Sequence, residues 1–293
     1  MFRFGGKKVR LSTEQAKRVL VVGGSGFLGF HISEALRNSG AQVSIAGRDT
    51  LAKALQSDYE SIVWAAGGRV SSQTALQEQH VAGPLRALAS LMPNGRFVFL
   101  SSGEVYGPSK VPFAEFTRPE STTEYGLAKL KGEARLGAAA ELQGARLTCL
   151  RIALAYGPRQ QGSMFVPSLV RHLLDRTPFA TSPGGQTRDY IYCTDVANAT
   201  VLALAEGAPS GIFNVGSGIE ISLKDIALSV QREFDAQTGL ESLELIRFGE
   251  LPYRANEQMR YVLSTARSKS ELGIEPKVAL ADGLARLIKA ARQ

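Results

Sequence analysis

The stretch Arg18-Val-Leu-Val-Val-Gly-Gly-Ser-Gly-Phe-Leu-Gly29 organises the rest of the chain. Its four apolar residues, Val19 to Val22, run directly into a turn that contains three regularly spaced glycines. A mostly amphipathic segment follows from Phe27 to Asn38, and Gly40 closes it. This order predicts a buried strand, a tight turn and a helix that stops at the last glycine.

The three spaced glycines, Gly23, Gly26 and Gly29, each have a physical role in the turn. Gly23 permits a sharp turn off the strand, Gly26 lets the backbone approach a pyrophosphate, and Gly29 lets the helix pack close to the sheet. The helix N-terminus adds free N–H groups and a partial positive charge, which favour phosphate. The turn therefore predicts dinucleotide binding, with contacts from Gly23, Ser25, Gly26, Phe27, Leu28 and Gly29.

Composition limits the function classes. The chain has 293 residues, of which 44% are hydrophobic, so it can bury a large core in one or two domains. Lys and Arg number 34 against 27 Asp and Glu, a net charge of +7 that suits a protein handling anionic small molecules. There is no long Lys/Arg run, so a solvated basic surface is favoured and no specific nucleic acid is expected.

Cysteine usage and hydropathy bear on the compartment. Cys149 and Cys193 lie in apolar, strand-like stretches, so we expect buried thiols in a reducing compartment. The three histidines are scattered, and no metal site is predicted.

No segment is apolar enough to span a bilayer, and residues 1–17 lack the apolar core of a secretory signal. We expect a cytoplasmic protein in which residues 1–17 form a basic leader, either mobile or a short cap.

The residues after the second predicted strand, Gln42 to Ala46, bear on the cofactor. NAD enzymes place a carboxylate about 20 residues past the glycine turn, where it holds the ribose 2′-hydroxyl. Gly47 and Arg48 stand there instead, and a guanidinium binds a 2′-phosphate bidentately. We therefore expect NADP, with NAD possible. In the alternative, Arg48 is a solvated loop residue and Asp49 binds the ribose.

The third buried run, Ser61 to Ala66, follows only a short helical stretch, Thr50 to Gln56. A full βαβ unit needs more chain, so one strand is expected to be shortened or missing beside the adenine end of the cofactor. The residues that end this run are predicted to contact the cofactor: Ala65, Ala66 and Gly67.

A polar cluster, Ser101-Ser-Gly-Glu-Val-Tyr-Gly107, ends the next predicted strand. Open α/β sheets place their chemistry at such carboxyl ends. The helix that follows carries Tyr125 and Lys129, which share one face at i and i+4. A lysine ammonium close to a phenol lowers the phenol pKa, so Tyr125 is a candidate acid or base near neutral pH. A serine hydroxyl from the strand end is expected to bond the same substrate oxygen; in the alternative, the pair lies on an exposed helix without a catalytic role.

Strands alternate with helices along most of the chain. This predicts an α/β fold, a Rossmann-type doubly wound parallel sheet with a smaller C-terminal substrate lobe. The dinucleotide-binding domain is predicted at residues 18–157 and is completed by 188–206. Residues 158–187 and 207–293 are predicted to form mainly the substrate-binding lobe.

Taken together, the motifs resemble the extended short-chain dehydrogenase/reductases, the nucleotide-sugar epimerase/dehydratase family. The resemblance covers Arg18 to about Ala291 and rests on GGSGFLG, SSGEVYG, YGLAK, RIALAYGPR, RDYIYCTDVANA, GIFNVGSG and ELGIEP, in family order. It implies a catalytic triad of Ser102, Tyr125 and Lys129, with Lys129 also bonding the nicotinamide ribose. It further implies hydride transfer at a sugar carbon, commonly C4.

The resemblance also implies substrate and partner contacts. Arg188 and Arg254 correspond to arginines that bind the substrate diphosphate in the family, and bidentate pairing is the physical reason. Family members often dimerise through two helices, which here correspond to 73–91 and 121–143.

The chain departs from the family pattern at several positions. His80 and Leu154 stand where asparagines are usual, and the second of these often helps to hold the diphosphate. Gly103 stands where the 4,6-dehydratases carry an acidic or polar side chain, although the neighbouring Glu104 is present.

The favoured interpretation is an NADP-dependent oxidoreductase acting on a nucleotide-activated sugar, as a 4-ketoreductase or a 4-epimerase. One alternative within the fold is a 4,6-dehydratase that uses Glu104 as its base. Another is a non-catalytic nucleotide- or RNA-binding relative, against which the complete Ser102, Tyr125 and Lys129 set argues.

Overall fold

The computed structural model describes residues 3–4, 7–8, 17–68, 72–108 and 112–293. The strands, in chain order, are β1 (Arg3–Phe4), β2 (Lys7–Lys8), β3 (Arg18–Val22), β4 (Gln42–Ala46), β5 (Tyr59–Trp64), β6 (Leu91–Ser102), β7 (Arg146–Ile152), β8 (Leu154–Tyr156), β9 (Phe179–Thr181), β10 (Thr187–Arg188), β11 (Tyr190–Tyr192), β12 (Gly211–Val215), β13 (Ile221–Ser222), β14 (Ile246–Phe248) and β15 (Arg260–Tyr261).

The α-helices are α1 (Phe27–Asn38), α2 (Leu51–Ala54), α3 (Gln73–Gln77), α4 (Gly83–Ala89), α5 (Glu124–Gln143), α6 (Phe165–Leu174), α7 (Cys193–Ala203), α8 (Leu223–Thr238), α9 (Ala266–Leu272) and α10 (Leu280–Ala291). A π-helical turn spans Glu78–Ala82, and 3-10 turns span Gly103–Tyr106 and Leu243–Leu245.

Six strands pair in parallel in the order β12-β7-β6-β5-β3-β4. The apolar run of β3 is continuous because both of its faces are covered. Val19 and Val21 pack on the side of α1 and α7, whereas Leu20 and Val22 pack on the side of α4 and α5. Helices thus cover both faces of the sheet, which confirms the predicted doubly wound Rossmann-type fold.

The sheet ends early at β4. Only the four-residue helix α2 separates β4 from β5, and β4 pairs with β3 alone among the described strands. This agrees with the shortened strand region expected from the brief segment 50–56.

The helix expected over residues 73–91 is interrupted. The π-helical turn Glu78–Ala82 separates α3 from α4, and Leu91 already belongs to β6. The turn signal Pro93-Asn94-Gly95 lies inside β6, where the register shifts: Leu91 pairs with Tyr59 and Arg96 with Ser61. The extra residues therefore bulge out of the strand and do not end a helix.

A second core lies under the later helices. Residues of α6, α8 and α10 form one buried cluster, which includes Val170, Ile226 and Leu284. The predicted division of the chain into a nucleotide-binding part and a substrate lobe stays a prediction. Of the predicted leader, the described residues comprise the β1–β2 pair and Lys17.

Two further observations concern only the described residues. None of their helices combines the length and apolar character that crossing a membrane requires. Both cysteines, Cys149 and Cys193, are buried free thiols.

Candidate functional site

The glycine turn joins β3 to α1 at the carboxyl edge of the sheet. Gly23 has a φ of +84°, and a Cβ on it would lie 2.6 Å from the backbone nitrogen of Ala66. A Cβ on Gly29 would lie 2.0 Å from the Gly23 carbonyl oxygen, so glycine is required for this close approach. The exposed Gly26 starts α1 and has no side chain to cap the first N–H groups. The turn therefore offers the open backbone and helix terminus that a pyrophosphate requires.

The end of β4 lies beside this turn. The Gly23 N–H donates to the Ala46 carbonyl oxygen at 2.7 Å, and the Gly47 N–H donates to Thr50 Oγ1 at 2.9 Å. The Arg48 side chain is exposed next to them. The arrangement leaves the guanidinium accessible to a ligand, and the preference for NADP stays a prediction.

The polar end of β6 is tied to the start of α5. Ser102 Oγ accepts from the Glu104 N–H at 3.2 Å and so caps the 3-10 turn. The N-cap of α5, Thr123, donates to Glu104 Oε2 at 3.2 Å and accepts from the Gly126 N–H at 3.0 Å. Because Thr123 bonds both elements, Ser102 and Glu104 lie next to the first turn of α5.

Tyr125 and Lys129 occupy the first two turns of α5. Tyr125 is half-buried, whereas Lys129 is buried with its Nζ 5.7 Å from the centre of the Tyr125 ring. Nζ donates to the Leu100 carbonyl oxygen at 2.6 Å. The ammonium group therefore lies near the phenol ring and is anchored to β6, the strand that delivers Ser102.

Burial dominates the titration of Lys129. Desolvation lowers the pKa of Lys129 to about 7, and the nearby Glu133 carboxylate offsets only part of that effect. The amine is thus poised between its charged and neutral forms near neutral pH, as suits a residue that assists proton transfer.

A buried polar cluster supports α5 beneath these residues. Arg151 Nη2 donates to Glu133 Oε2 at 2.6 Å, and Ser101 Oγ donates to Glu133 Oε1 at 2.5 Å. Both members of the ion pair are almost fully buried. Removing one partner of such a pair costs about 3–5 kcal/mol because the other charge is left uncompensated. The cluster thus fixes α5 against β6 and β7.

His80, in the π-helical turn, contacts the same wall. Its ring meets the Tyr125 ring edge-on, with 5.2 Å between the centres and an interplanar angle of 87°. Burial and the Lys129 charge lower the pKa of His80 to about 3, so the ring is neutral at physiological pH. The position at which the family usually has an asparagine is therefore occupied by an uncharged aromatic ring.

The space at Gly103 is filled from a distant part of the chain. A Cβ on Gly103 would lie 2.4 Å from the Tyr261 hydroxyl oxygen and 3.0 Å from Leu263 Cδ2. Tyr261 is buried, and its hydroxyl also donates to the Ile152 carbonyl oxygen at 3.4 Å. An acidic side chain at position 103 would have to displace this tyrosine.

Arg188 is held by groups of the protein itself. Its guanidinium pairs with Glu257, and Nη1 donates at 2.7 Å to the carbonyl oxygens of Thr187 and Gln258. The Gln258 side chain in turn donates to the Gly107 carbonyl oxygen at 2.7 Å. Arg188 is thus linked through Gln258 to the segment that follows the polar end of β6.

Arg254 belongs to the same segment as Glu257. The turn is closed by a hydrogen bond from the Glu257 N–H to the Arg254 carbonyl oxygen at 3.0 Å, and the Arg254 side chain is exposed. The structure thus brings both predicted substrate arginines to the Glu257 turn, and their convergence on one diphosphate stays a prediction.

The predicted cofactor residues are contiguous with the predicted catalytic ones. Ala66 contacts the glycine turn at Gly23, and the next residue, Gly67, contacts His80, which in turn packs on Tyr125. Several neighbours of the site lie outside the predicted set, among them His80, Tyr261 and Glu257. The unusual histidine was visible as a departure from the family pattern, whereas no local pattern identifies Tyr261 as the neighbour of Gly103.

Comparison with known proteins shows what this chain is similar to. Residues 19–216 match the model of a family described as the NAD dependent epimerase/dehydratase family. A putative UDP-glucose 4-epimerase from Methanocaldococcus jannaschii is 26% identical over 310 residues, covering 92% of this chain and 97% of that protein.

Two other relatives extend the comparison. A dTDP-4-dehydro-6-deoxyglucose reductase from Escherichia coli is 31% identical over 212 residues, covering 69% of this chain and 64% of that protein. The solved structure of MoeE5 in complex with UDP-glucuronic acid and NAD is 26% identical, covers 94% of this chain and 99% of that one, and superimposes with a TM-score of 0.80.

Proposed function

The chain belongs to the NAD dependent epimerase/dehydratase family, and we propose that it is an oxidoreductase that transfers hydride at C4 of a nucleotide-activated sugar. The proposed reaction is that of a 4-ketoreductase or a 4-epimerase, with NADP preferred. The observation that carries this proposal is the continuous wall from the glycine turn through Gly67 and His80 to Tyr125 and Lys129.

The glycine turn is proposed to hold the dinucleotide pyrophosphate on the N-terminus of α1. Ala65, Ala66 and Gly67 would then contact the cofactor on the side that faces Tyr125. Lys129 would bond the nicotinamide ribose. When bound, the nicotinamide ring supplies or accepts the hydride at the sugar carbon.

The residues of this chain manage the proton and the oxygen. In reduction, the Tyr125 hydroxyl gives its proton to the C4 oxygen as that oxygen gains negative charge, and in oxidation the phenolate takes the proton back. Ser102 Oγ is proposed to donate a hydrogen bond to the same oxygen and to stabilise its charge. The Lys129 ammonium, when charged, stabilises the Tyr125 phenolate.

The substrate lobe is proposed to hold the diphosphate through Arg188 and Arg254. A guanidinium is suited to this because it offers paired N–H donors to phosphate oxygens. The Glu257 carboxylate would then share the Arg188 guanidinium with the diphosphate, or the diphosphate would displace this carboxylate from Arg188.

NADP preference favours the ketoreductase over the epimerase. A reductase consumes one NADPH for each product, whereas an epimerase recycles a bound cofactor and shows no net consumption. The exposed Arg48 guanidinium beside the glycine turn supports the 2′-phosphate contact on which this preference rests.

Gly103 argues against the 4,6-dehydratase alternative. The dehydratases carry an acidic or polar side chain here, and in this chain the Tyr261 hydroxyl occupies the space into which a Cβ would project. We expect that Gly103→Asp does not raise ketoreductase or epimerase activity. We also expect it to lower the free energy of unfolding by about 1–3 kcal/mol through overpacking. A Gly103→Asp protein of native stability that releases water from a nucleotide-linked hexose would revive the dehydratase alternative.

A homodimer is part of the proposal. By the resemblance, residues 73–91 and 121–143 correspond to the helices through which family members often associate, and α5 exposes Leu127 and Leu142. Sedimentation of the purified protein tests this directly.

The deciding experiment supplies the purified protein with NADPH or NADH and a panel of UDP- and dTDP-linked sugars and their 4-keto forms. Stoichiometric loss of reduced cofactor with a 4-keto sugar identifies a reductase, and interconversion of C4 epimers without net loss identifies an epimerase. Tyr125→Phe is the matched negative control. Binding of dinucleotide without turnover of any sugar would support a non-catalytic binder, and copurification of RNA would identify its class.

A further inference from the structure

His80 lies between two parts of the proposed site. The π-helical turn Glu78–Ala82 interrupts the helix that runs over the sheet, and such turns often occur at functional positions. Its ring is fully buried, although histidine is normally only partly so. Its Nε2 lies 3.4 Å from the Gly68 carbonyl oxygen, and its Nδ1 is buried without a hydrogen-bond partner among the described residues.

On one side, the His80 ring touches the turn 65–68. A Cβ on Gly67 would lie 2.4 Å from His80 Cε1 and 2.9 Å from Nδ1. Gln79 holds the same turn, because its Oε1 accepts from the Gly68 N–H at 3.3 Å. The backbone of the turn therefore rests directly on the imidazole, and neither can shift toward the other.

The same ring also packs edge-on against Tyr125. The main chain of His80 is also fixed to α5, because a Cβ on Gly132 would lie 2.1 Å from the His80 carbonyl oxygen. Tyr125 and Gly132 both belong to α5, so His80 is held by the catalytic helix at two points. The imidazole is thus in contact with both the turn 65–68 and the Tyr125 ring.

We propose that His80 is a positioning residue that couples the turn 65–68, which faces the cofactor, to the ring of Tyr125. The inference rests on the proposed function, because it assumes that the dinucleotide contacts this turn. A rigid planar ring in contact with both groups transmits a displacement of one neighbour to the other. Dinucleotide binding at the turn thus sets the orientation of the phenol that transfers the proton.

The unpartnered Nδ1 fits this role. A buried polar atom without a partner is unfavourable and requires an explanation. The contacts of the ring with Gly67 and Tyr125 supply one, because they hold the imidazole in a position where Nδ1 meets no donor or acceptor among the described residues.

A double-mutant cycle tests the coupling. The variants are Gly67→Ala, His80→Ala and the two combined, with Gly40→Ala as the control because Gly40 also has a positive φ and a Cβ there meets nothing within 4 Å. The readouts are NADPH affinity by fluorescence titration of the full-length protein without sugar, and kcat and KM with the sugar substrate. The positive φ of Gly67 strains alanine equally with and without His80, so that strain cancels in the cycle.

We expect Gly67→Ala to weaken NADPH binding by about tenfold or more in the native background and much less in the His80→Ala background. We expect His80→Ala to lower kcat by about tenfold or more with KM nearly unchanged, since misplacing a catalytic group acts on the chemical step. His80→Asn should fall between the native protein and His80→Ala.

The outcomes separate this inference from the proposed function. Additive effects on NADPH affinity, or a His80→Ala protein of native kcat, overturn the coupling and leave the proposed function intact. A lower melting temperature with unchanged kcat assigns His80 to stability alone and also overturns it. A native protein that binds neither NADPH nor NADH removes the proposed function together with this inference.

Discussion

The two walls of the candidate site are built by different forces. The wall that carries Tyr125 and Lys129 is packed from buried groups on β6 and α5, with the enclosed Arg151–Glu133 pair beneath it. The wall that carries Arg188 is assembled from ion pairs and hydrogen bonds that join β10 to the Glu257 turn. Each member of the Arg188–Glu257 pair keeps 14% of its side-chain surface exposed.

This difference matches the proposed division between chemistry and recognition. Packed interiors resist displacement, so the proposed proton-transfer group, Tyr125, keeps its position before a ligand arrives. The Arg188–Glu257 pair retains some contact with solvent, which suits a guanidinium proposed to accept a diphosphate. We therefore expect substitutions in the first wall to act on turnover and those in the second to act on affinity.

The largest effect is expected from Tyr125→Phe. The substitution keeps the ring that packs on His80 and removes only the hydroxyl. Turnover should fall by about 10²–10⁴-fold, the usual loss when a general acid–base is removed, with NADPH affinity nearly unchanged. Steady-state kinetics of the folded variant measure this, with Tyr59→Phe at the opposite end of the sheet as the control. Native turnover in Tyr125→Phe would remove the catalytic assignment.

Arg188→Ala should act on substrate affinity. Loss of a charge-assisted contact of about 1.5–3 kcal/mol weakens nucleotide-sugar binding by about tenfold or more. NADPH binding should be nearly unchanged, and calorimetric titration with each ligand measures both. Arg247→Ala, which removes an exposed arginine of β14, serves as the control. If Arg188→Ala loses the cofactor instead, the division into two walls is wrong.

Arg48→Ala should change cofactor preference by about tenfold. The native protein is expected to bind NADPH more tightly than NADH, because the guanidinium pairs with the 2′-phosphate, and the variant should lose that preference. Fluorescence titrations with both cofactors measure the ratio. Arg37→Ala, another partly exposed arginine, should leave it unchanged. Equal native affinities would favour the alternative in which Asp49 binds the ribose.

The last prediction concerns stability rather than binding or turnover, through the titration of Lys129. Burial holds its pKa near 7 in the folded protein, below the ordinary 10.5 of the unfolded chain. The unfolded state therefore binds more protons between these values, and stability from this group rises as the pH increases from about 7 to about 10. Lys129→Met removes this pH-dependent contribution to the free energy of unfolding. The stability of the variant relative to the native protein should therefore be highest below about pH 7 and should decline at higher pH. Chemical denaturation across that range measures the trend, and a constant difference would contradict it.

The sequence predicted the first βαβ elements of the sheet well because their signals are local. The glycine turn, the strands β3 and β4 and the helix α1 follow from apolar runs and glycine spacing within 29 residues, and the observed bounds of β4 and α1 are the predicted ones. The helix over 73–91 was predicted less well. Its π-helical turn depends on packing against α5, and the bulge at 93–95 depends on pairing with β5.

The sequence by itself determined the fold, the family and the residue types of the proposed triad, because periodicity and motif order are properties of the chain alone. Only the tertiary structure decided which neighbours those residues have. It placed His80 against Tyr125, the Tyr261 hydroxyl in the space beside Gly103, and Glu257 on Arg188. The physical reason is that these contacts join residues 45, 158 and 69 positions apart, and their fit depends on how complete elements pack rather than on any local pattern.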